Sequence, residues 1–185
     1  GNNFIDGINT LLIGYNIVLS LFLLFFFEPS LEQYEILKNY IYIFSILMLF
    51  NIRGKIILGD AGSYALAFFM GIYLIDFARN TPYLSHFFII SLLWYPCFEL
   101  LFSIIRRLKF NKKTYEPDTK HFHQILYTFI LKKIKNNNYA HILVSLIING
   151  YFLISLYLNY ITSYKSSIIS LFVFFNVSFY LLIYK

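Results

Sequence analysis

Charge is scarce in this sequence, and so is sulfur. Of 185 residues, only 13% are Asp, Glu, Lys or Arg, about half the share of an ordinary soluble domain. The single cysteine, Cys97, lies inside an apolar run, which excludes a disulfide framework and a cysteine-based metal site. There is no internal repeat, no flexible interdomain linker and no Asp-Asp pair. The sequence also starts without Met, inside a polar motif, and shows no leading hydrophobic segment. We therefore expect residues 1–185 to be the C-terminal part of a longer protein, forming one membrane domain.

What is abundant is apolar: 59% of residues are hydrophobic and 22% aromatic. They collect in runs. A helix needs about 20 apolar residues to cross about 30 Å of hydrocarbon, with about 17 as the lower limit. Runs near 11–27, 36–52, 64–80, 86–105, 139–160 and 167–184 predict six spans. Lipid offers backbone N–H and C=O groups no partner, so the spans should be helices. The runs lack the alternation of a membrane strand. The expected fold is an all-α, polytopic membrane bundle.

The net charge of +6 would ordinarily raise the question of nucleic-acid binding. Here the bases cluster between spans, where membrane topology accounts for them. The connectors 51–63 and 106–138, with Lys185, hold 12 Lys and Arg, and the opposite side holds 3, namely Lys38, Arg79 and Lys165. Residues 1–9, 51–63 and 106–138 are thus expected on the cytoplasmic face of a bacterial inner membrane, with no nucleic-acid partner. Residues 124–135 read as an interfacial helix, with an apolar stripe of Ile125, Leu126, Phe129 and Ile130 followed by lysines suited to anionic headgroups.

Those three connectors contain the polar islands of the chain. In the first, Asn3, Asp6 and Asn9 would share a face if a helix begins there; helix capping is the competing reading. In the second, Gly59-Asp-Ala-Gly-Ser63 leads into an apolar helix. Such a turn offers N–H groups to phosphate oxygens, and Asp60 offers a hard oxygen to Mg²⁺, with a cap again the alternative. In the third, His121 and His123 would not share a helical face but can converge from a loop, beside a shaping turn at Pro117-Asp118. Two nitrogens without a nearby cysteine make a weak zinc site; solvated loop histidines are the alternative. Within or near spans, Glu99 should pair with a base such as Arg106, Asp76 should pair with Arg79, and Trp94 should pack in the bundle.

Taken together, these segments resemble a family. Asn3-Phe-Ile-Asp-Gly-Ile-Asn9, Gly59-Asp-Ala-Gly-Ser63, Pro96-Cys-Phe-Glu99 through Arg107, and Pro117-Asp-Thr-Lys-His-Phe-His-Gln124 are similar, in order and spacing, to motifs of the polyprenyl-phosphate N-acetylhexosamine-1-phosphate transferases. The separated His-Phe-His is closer to the N-acetylglucosamine-1-phosphate branch than to the muramyl-pentapeptide branch. The resemblance implies transfer of a sugar-1-phosphate from a UDP-N-acetylhexosamine to a polyprenyl phosphate, with Mg²⁺ as cofactor and UMP as leaving group, for surface-glycan or cell-wall synthesis. It implies a metal-binding role for Asp60, an essential role near the nucleotide for Asp6, nucleotide-sugar contacts for His121 and His123, and weaker substrate contacts for Asn3 and Asn51. A homodimer is left open.

Three departures stand out. Gln124 replaces the last histidine of the motif, Asn9 stands where some relatives have Asp, and the family's upstream Asp-Asp pair is absent. Residues 1–185 are accordingly expected to be inactive alone. A transporter with a cytoplasmic anion site and a non-catalytic scaffold are the alternatives from other classes.

Overall fold

The computed structural model describes residues 1–109, 120–162 and 165–184. Among these residues every regular element is a helix: α1 (Asn2–Ile5), α2 (Leu11–Phe26), α3 (Leu31–Asn51), α4 (Gly59–Asn80), α5 (His86–Leu92), α6 (Trp94–Lys109), α7 (Phe122–Ile134), α8 (Asn137–Ile161) and α9 (Ser166–Tyr184). The fold is the expected all-α bundle, with helices at all six predicted runs. The expectations placed on Lys112, Lys113, the Pro117-Asp118 turn and Lys185 lie outside the described residues.

By length and apolar composition, α4, α8 and α9 each suffice to cross a membrane, and the bent pair α5 and α6 meets the same measure when the two helices are counted together. The other two predicted spans fall short of that measure. Helix α2 has 16 residues, below the usual minimum of about 17. Helix α3 opens with Glu32, Gln33, Glu35 and Lys38, so its apolar stretch is shorter than the helix.

Burial explains why α2 is short and apolar on every side. Leu11, Leu12, Ile13, Tyr15, Leu19, Phe22 and Leu23 are all buried, and the helix packs between α3 and α8. A helix that is hydrophobic all round belongs in a core. The outer helices do the reverse. Phe68, Phe69, Ile72 and Ile75 on α4, with Leu171, Phe174, Phe175 and Leu182 on α9, are exposed, an apolar belt suited to lipid. Buried amides join the helices: Asn149 donates to the Leu11 carbonyl and to Ser145, and Asn176 links Tyr151 to Ser155. Interhelical bonds of this type hold bundles together where lipid removes the hydrophobic driving force.

The predicted span 86–105 is not one rod. It breaks at Leu93 and turns through 73° between α5 and α6. Pro96 is the cause. Its ring clashes with the carbonyl four residues back, and it has no N–H to offer that carbonyl. The residue four back is Leu92, the last of α5. Its freed carbonyl accepts a hydrogen bond from the buried Tyr15 hydroxyl on α2. Trp94 is buried at the start of α6, as expected for a bundle residue.

At the end of the bundle remote from the islands, Asp76 does not pair with Arg79. Its carboxylate accepts from Gln33 Nε2 at 2.7 Å and from Asn80 Nδ2 at 3.2 Å. Gln33 is itself fixed by a capping box with Ser30 at the start of α3, so an amide already aimed at Asp76 takes the place of the exposed Arg79 side chain. The predicted interfacial helix is α7. Ile125 and Phe129 are exposed, Ile130 is buried, and Lys132 and Lys133 lie in its last turn.

Candidate functional site

The three islands come together at one end of the bundle. Helix α1 is a single turn that packs against both α4 and α6, which sets the first island between the other two. On the α4 side, the buried Ser63 hydroxyl lies 3.2 Å from Asn3 Oδ1 and 3.1 Å from the Asp60 carbonyl. On the α6–α7 side, the Phe4 ring meets His121 edge-on at 5.4 Å, and the Arg107 guanidinium lies 5.9 Å from the Phe4 centroid.

Asp6 caps the C-terminus of α1 and is partly buried. Burial pushes its carboxyl up to about 6, opposed by a hydrogen bond from the Gly59 backbone and reinforced by the nearby Asp60 charge. Gly59 has φ of +61°, a left-handed conformation that costs glycine little. Asp60 follows in the first turn of α4, exposed. The two carboxylates are thus neighbours. Hard divalent cations such as Mg²⁺ take one or two carboxylates and keep several waters or phosphate oxygens, and this pair fits that demand. Among the described residues no group of three or more His, Cys, Asp or Glu side chains forms a complete metal cage.

Asn9 does not share a helical face with Asp6. Helix α1 stops at Ile5, and Asn9 instead lies against Gly54, whose Cβ position would be 3.4 Å from its amide nitrogen. Asn51 is buried, and both ends of its side chain are engaged. Its Oδ1 accepts from the Thr10 N–H, and its Nδ2 donates to the Ile56 carbonyl at 2.7 Å. It is therefore a strut between the first two islands, which accounts for the polar residue at the end of α3 without a substrate contact.

The histidines converge in a way that their spacing on a regular helix would forbid. His121 is the residue before α7, with extended backbone angles, and His123 lies one residue into the helix. The change of backbone conformation between them stacks the rings nearly parallel, 5.5 Å apart at an interplanar angle of 4°. Both side chains are buried. Burial lowers the His123 pKa to about 4, partly offset by Glu99 and reinforced by His121. Its Nδ1 is 3.3 Å from the Tyr95 hydroxyl. Its Nε2 has no hydrogen-bond partner among the described residues and lies against Gly7, where an added Cβ would be 3.5 Å away. Gln124, the departure from the motif, places Oε1 3.4 Å from the His121 N–H and Nε2 beside Gly7.

Glu99 is fully buried, and its partner is His121 rather than Arg106. Glu99 Oε2 lies 2.9 Å from His121 Nδ1; Oε1 accepts from the Phe122 N–H at 3.1 Å and from Tyr180 Oη at 2.8 Å. Arg106 instead donates to Tyr184 Oη at 2.7 Å. The first N–H groups of a helix lack intrahelical partners, and a carboxylate is the favoured group there; the start of α7 therefore claims Glu99. Directly behind this contact, Trp94, Tyr95, Phe122, Phe152, Asn176 and Tyr180 help line a largely apolar cavity of about 260 Å³ between α6, the start of α7, α8 and α9.

An ionisable side chain inside a span is a functional marker, and that signal points to Glu99. Tyr95 and Tyr180 carried no such signal in a chain with 17 tyrosines. The assembled site has two adjacent carboxylates at one side and two stacked imidazoles at the other, with Asn3, Phe4 and Gly7 between them. Hard oxygens that can take a cation, beside ring nitrogens that can meet an anion, form an arrangement suited to a metal-bound phosphate compound.

Over 72 residues the chain is 33% identical to an undecaprenyl-phosphate alpha-N-acetylglucosaminyl 1-phosphate transferase from Thermotoga maritima. The matched stretch covers 38% of this chain and 23% of that relative. No family model and no solved structure matches. The relative's name agrees with the family that the four motifs resemble.

Proposed function

We propose that the chain is part of a membrane phosphoglycosyl transferase that moves an N-acetylhexosamine-1-phosphate from a UDP-sugar to a polyprenyl phosphate at the cytoplasmic face of a bacterial inner membrane. The observation that carries this reading is the meeting of the three islands at one end of an apolar bundle. A transporter would be expected to gather its polar site near the bilayer midplane, and a scaffold gives no reason for acids and imidazoles to meet. The relative's name and the four motifs support the same class.

In this reading an oxygen of the lipid phosphate attacks the sugar-bearing phosphorus of the donor. One phosphoanhydride bond forms to the lipid, the one to UMP breaks, and UMP leaves carrying the bridging oxygen. The attacking phosphate is already an anion near neutral pH, so no general base is assigned. Catalysis then consists of positioning and charge neutralisation. Asp60, with Asp6 beside it, would hold Mg²⁺, whose chemistry there is to offset phosphate charge. His121 and His123 meet the nucleotide-sugar, Asn3 orients the turn between the two ends, and the cavity behind Tyr180 takes part of the isoprenoid chain. The product feeds a surface-glycan or cell-wall pathway.

The test is UMP release by the full-length protein supplied with UDP-N-acetylglucosamine, undecaprenyl phosphate and Mg²⁺, with mass spectrometry of the lipid product. UMP should appear only when all three are present. Absence of UMP with every UDP-N-acetylhexosamine would overturn the reading. Residues 1–185 alone should be inactive, because the Asp-Asp pair implied by the resemblance is not among them; full Mg²⁺-dependent turnover by this segment would defeat that expectation.

A further inference from the structure

We infer that Glu99 is the positioning residue of the histidine pair: it holds His121 with the Nδ1 hydrogen turned inward, leaving Nε2 as the ring nitrogen that meets the ligand. The inference rests on the donor-site reading of His121 and His123. Its structural basis is the set of three contacts to one buried carboxylate. Glu99 takes hydrogen bonds from Tyr180 Oη and the Phe122 N–H on one oxygen and faces His121 Nδ1 at 2.9 Å with the other. An ionised carboxylate only accepts hydrogen bonds. Against the ionised form of that carboxylate, His121 Nδ1 carries a hydrogen, whether the ring is neutral or protonated.

That choice determines what the ring can do. With Nδ1 committed, Nε2 is an acceptor in the neutral ring and a donor to a phosphate oxygen in the protonated one. Among the described residues no hydrogen bond occupies it. The carboxylate also fixes where the ring stands. Glu99 is carried by α6, His121 and Phe122 by the start of α7, and Tyr180 by α9, so three elements meet on one side chain. The parallel stack then transmits the placement to His123, whose Nε2 is buried, unpartnered among the described residues and set against Gly7 of the first island.

Stability alone is a poor reason to keep such a group. A buried charge costs several kcal/mol to desolvate, and well-packed apolar replacements of buried ion pairs are often neutral or stabilising. Orientation of a reacting or binding imidazole by a carboxylate on its other nitrogen is a recurrent use of this geometry.

The experiment is nitrogen-15 NMR of the full-length protein in detergent micelles, with histidine labelled and His121 assigned from the signal lost in His121→Ala. The wild-type ring should carry hydrogen on Nδ1. In Glu99→Gln the amide can face that nitrogen with its own N–H, and the neutral ring should shift to the Nε2–H form. An unchanged tautomer in Glu99→Gln would overturn the proposal. If that variant does not fold, a wild-type His121 found in the Nε2–H form would overturn it equally.

The kinetic arm uses UDP-N-acetylglucosamine and undecaprenyl phosphate as probes. Glu99→Gln should raise KM for the nucleotide-sugar about 10-fold and leave KM for the lipid phosphate unchanged. Added to His121→Ala it should cost nothing further. Losses that multiply in the double variant would show that Glu99 acts elsewhere and refute the positioning role. A wild-type protein that neither binds nor turns over the nucleotide-sugar would refute the donor reading, and the tautomer would still decide the role of Glu99.

Discussion

The aspartate side and the histidine side of the site are held in opposite ways. Asp6 and Asp60 sit partly buried and exposed respectively, with like charges adjacent and a glycine backbone as the fixed partner of Asp6. His121, His123 and Glu99 are buried; the two rings stack, and Glu99 ties His121 to the Phe122 N–H and the Tyr180 hydroxyl. Adjacent unpaired acids are a state that a cation relieves, whereas a wired cluster of rings is set before any ligand arrives. The difference separates a side built to acquire charge from solution from one built to present a fixed shape.

The largest expected break of this contrast is Asp60→Asn. Mg²⁺-dependent UMP release by the full-length protein should fall by on the order of 10³-fold, while thermal stability in detergent changes by less than about 0.5 kcal/mol, as for other exposed substitutions. Unchanged turnover would remove Asp60 from the metal site. Next comes Asn51→Ala, which leaves the Thr10 N–H and Ile56 carbonyl without their partner. It should cost about 2 kcal/mol of stability, read from thermal unfolding, with a smaller effect on nucleotide-sugar affinity; the opposite pattern would make Asn51 a substrate contact after all. His123→Ala should weaken use of the nucleotide-sugar about 10-fold, or about 1.4 kcal/mol, with equal affinity and rate as the refuting result.

The smallest expected effect sharpens the comparison through pH. The Asp6 pKa is raised from 3.8 to about 6, so the folded state holds that proton more tightly than the unfolded chain. Its contribution to stability is greatest below pH 3.8 and declines as pH rises to about 6. His123 is lowered from 6.5 to about 4. Its contribution is full above pH 6.5 and declines as pH falls to about 4. The two slopes oppose one another across the same interval. Unfolding curves measured from pH 4 to 6.5 should steepen in one direction for Asp6→Asn and in the other for His123→Ala. Identical curves for both variants would show that the burial of these groups is not what sets their titration.

Much of this was legible in the sequence. Apolar run lengths gave the helices, and the even number of runs between islands put Asn3, Asp60 and His121 on one side. Local patterns were less informative where a distant group intervened. The run 86–105 looks continuous by hydrophobicity, yet Pro96 breaks it because Tyr15, 77 residues away in sequence, is there to take the carbonyl the break releases. Asp76 and Arg79 have suitable helical spacing, but Gln33 on another helix reaches the carboxylate first. Glu99 stood out as an acid among apolar residues, while its true partners depended on how α6, α7 and α9 meet. Asn51 and Asp60 are both polar residues beside spans, and only burial separates the strut from the candidate ligand.

The bend at Pro96 also limits how this chain can change length. Past the fixed joint between Leu92 and Tyr15, Glu99 lies five residues after Trp94, the start of α6, or about one and a half turns. Each inserted residue would swing it by about 100°, away from His121 and Tyr180 and into a different side of the bundle. An insertion of the same size at the exposed end of α6, Leu108 and Lys109, leaves the stretch from Pro96 to Glu99 unchanged. Natural length variation in this protein should therefore be tolerated after Arg107 and selected against between Pro96 and Glu99.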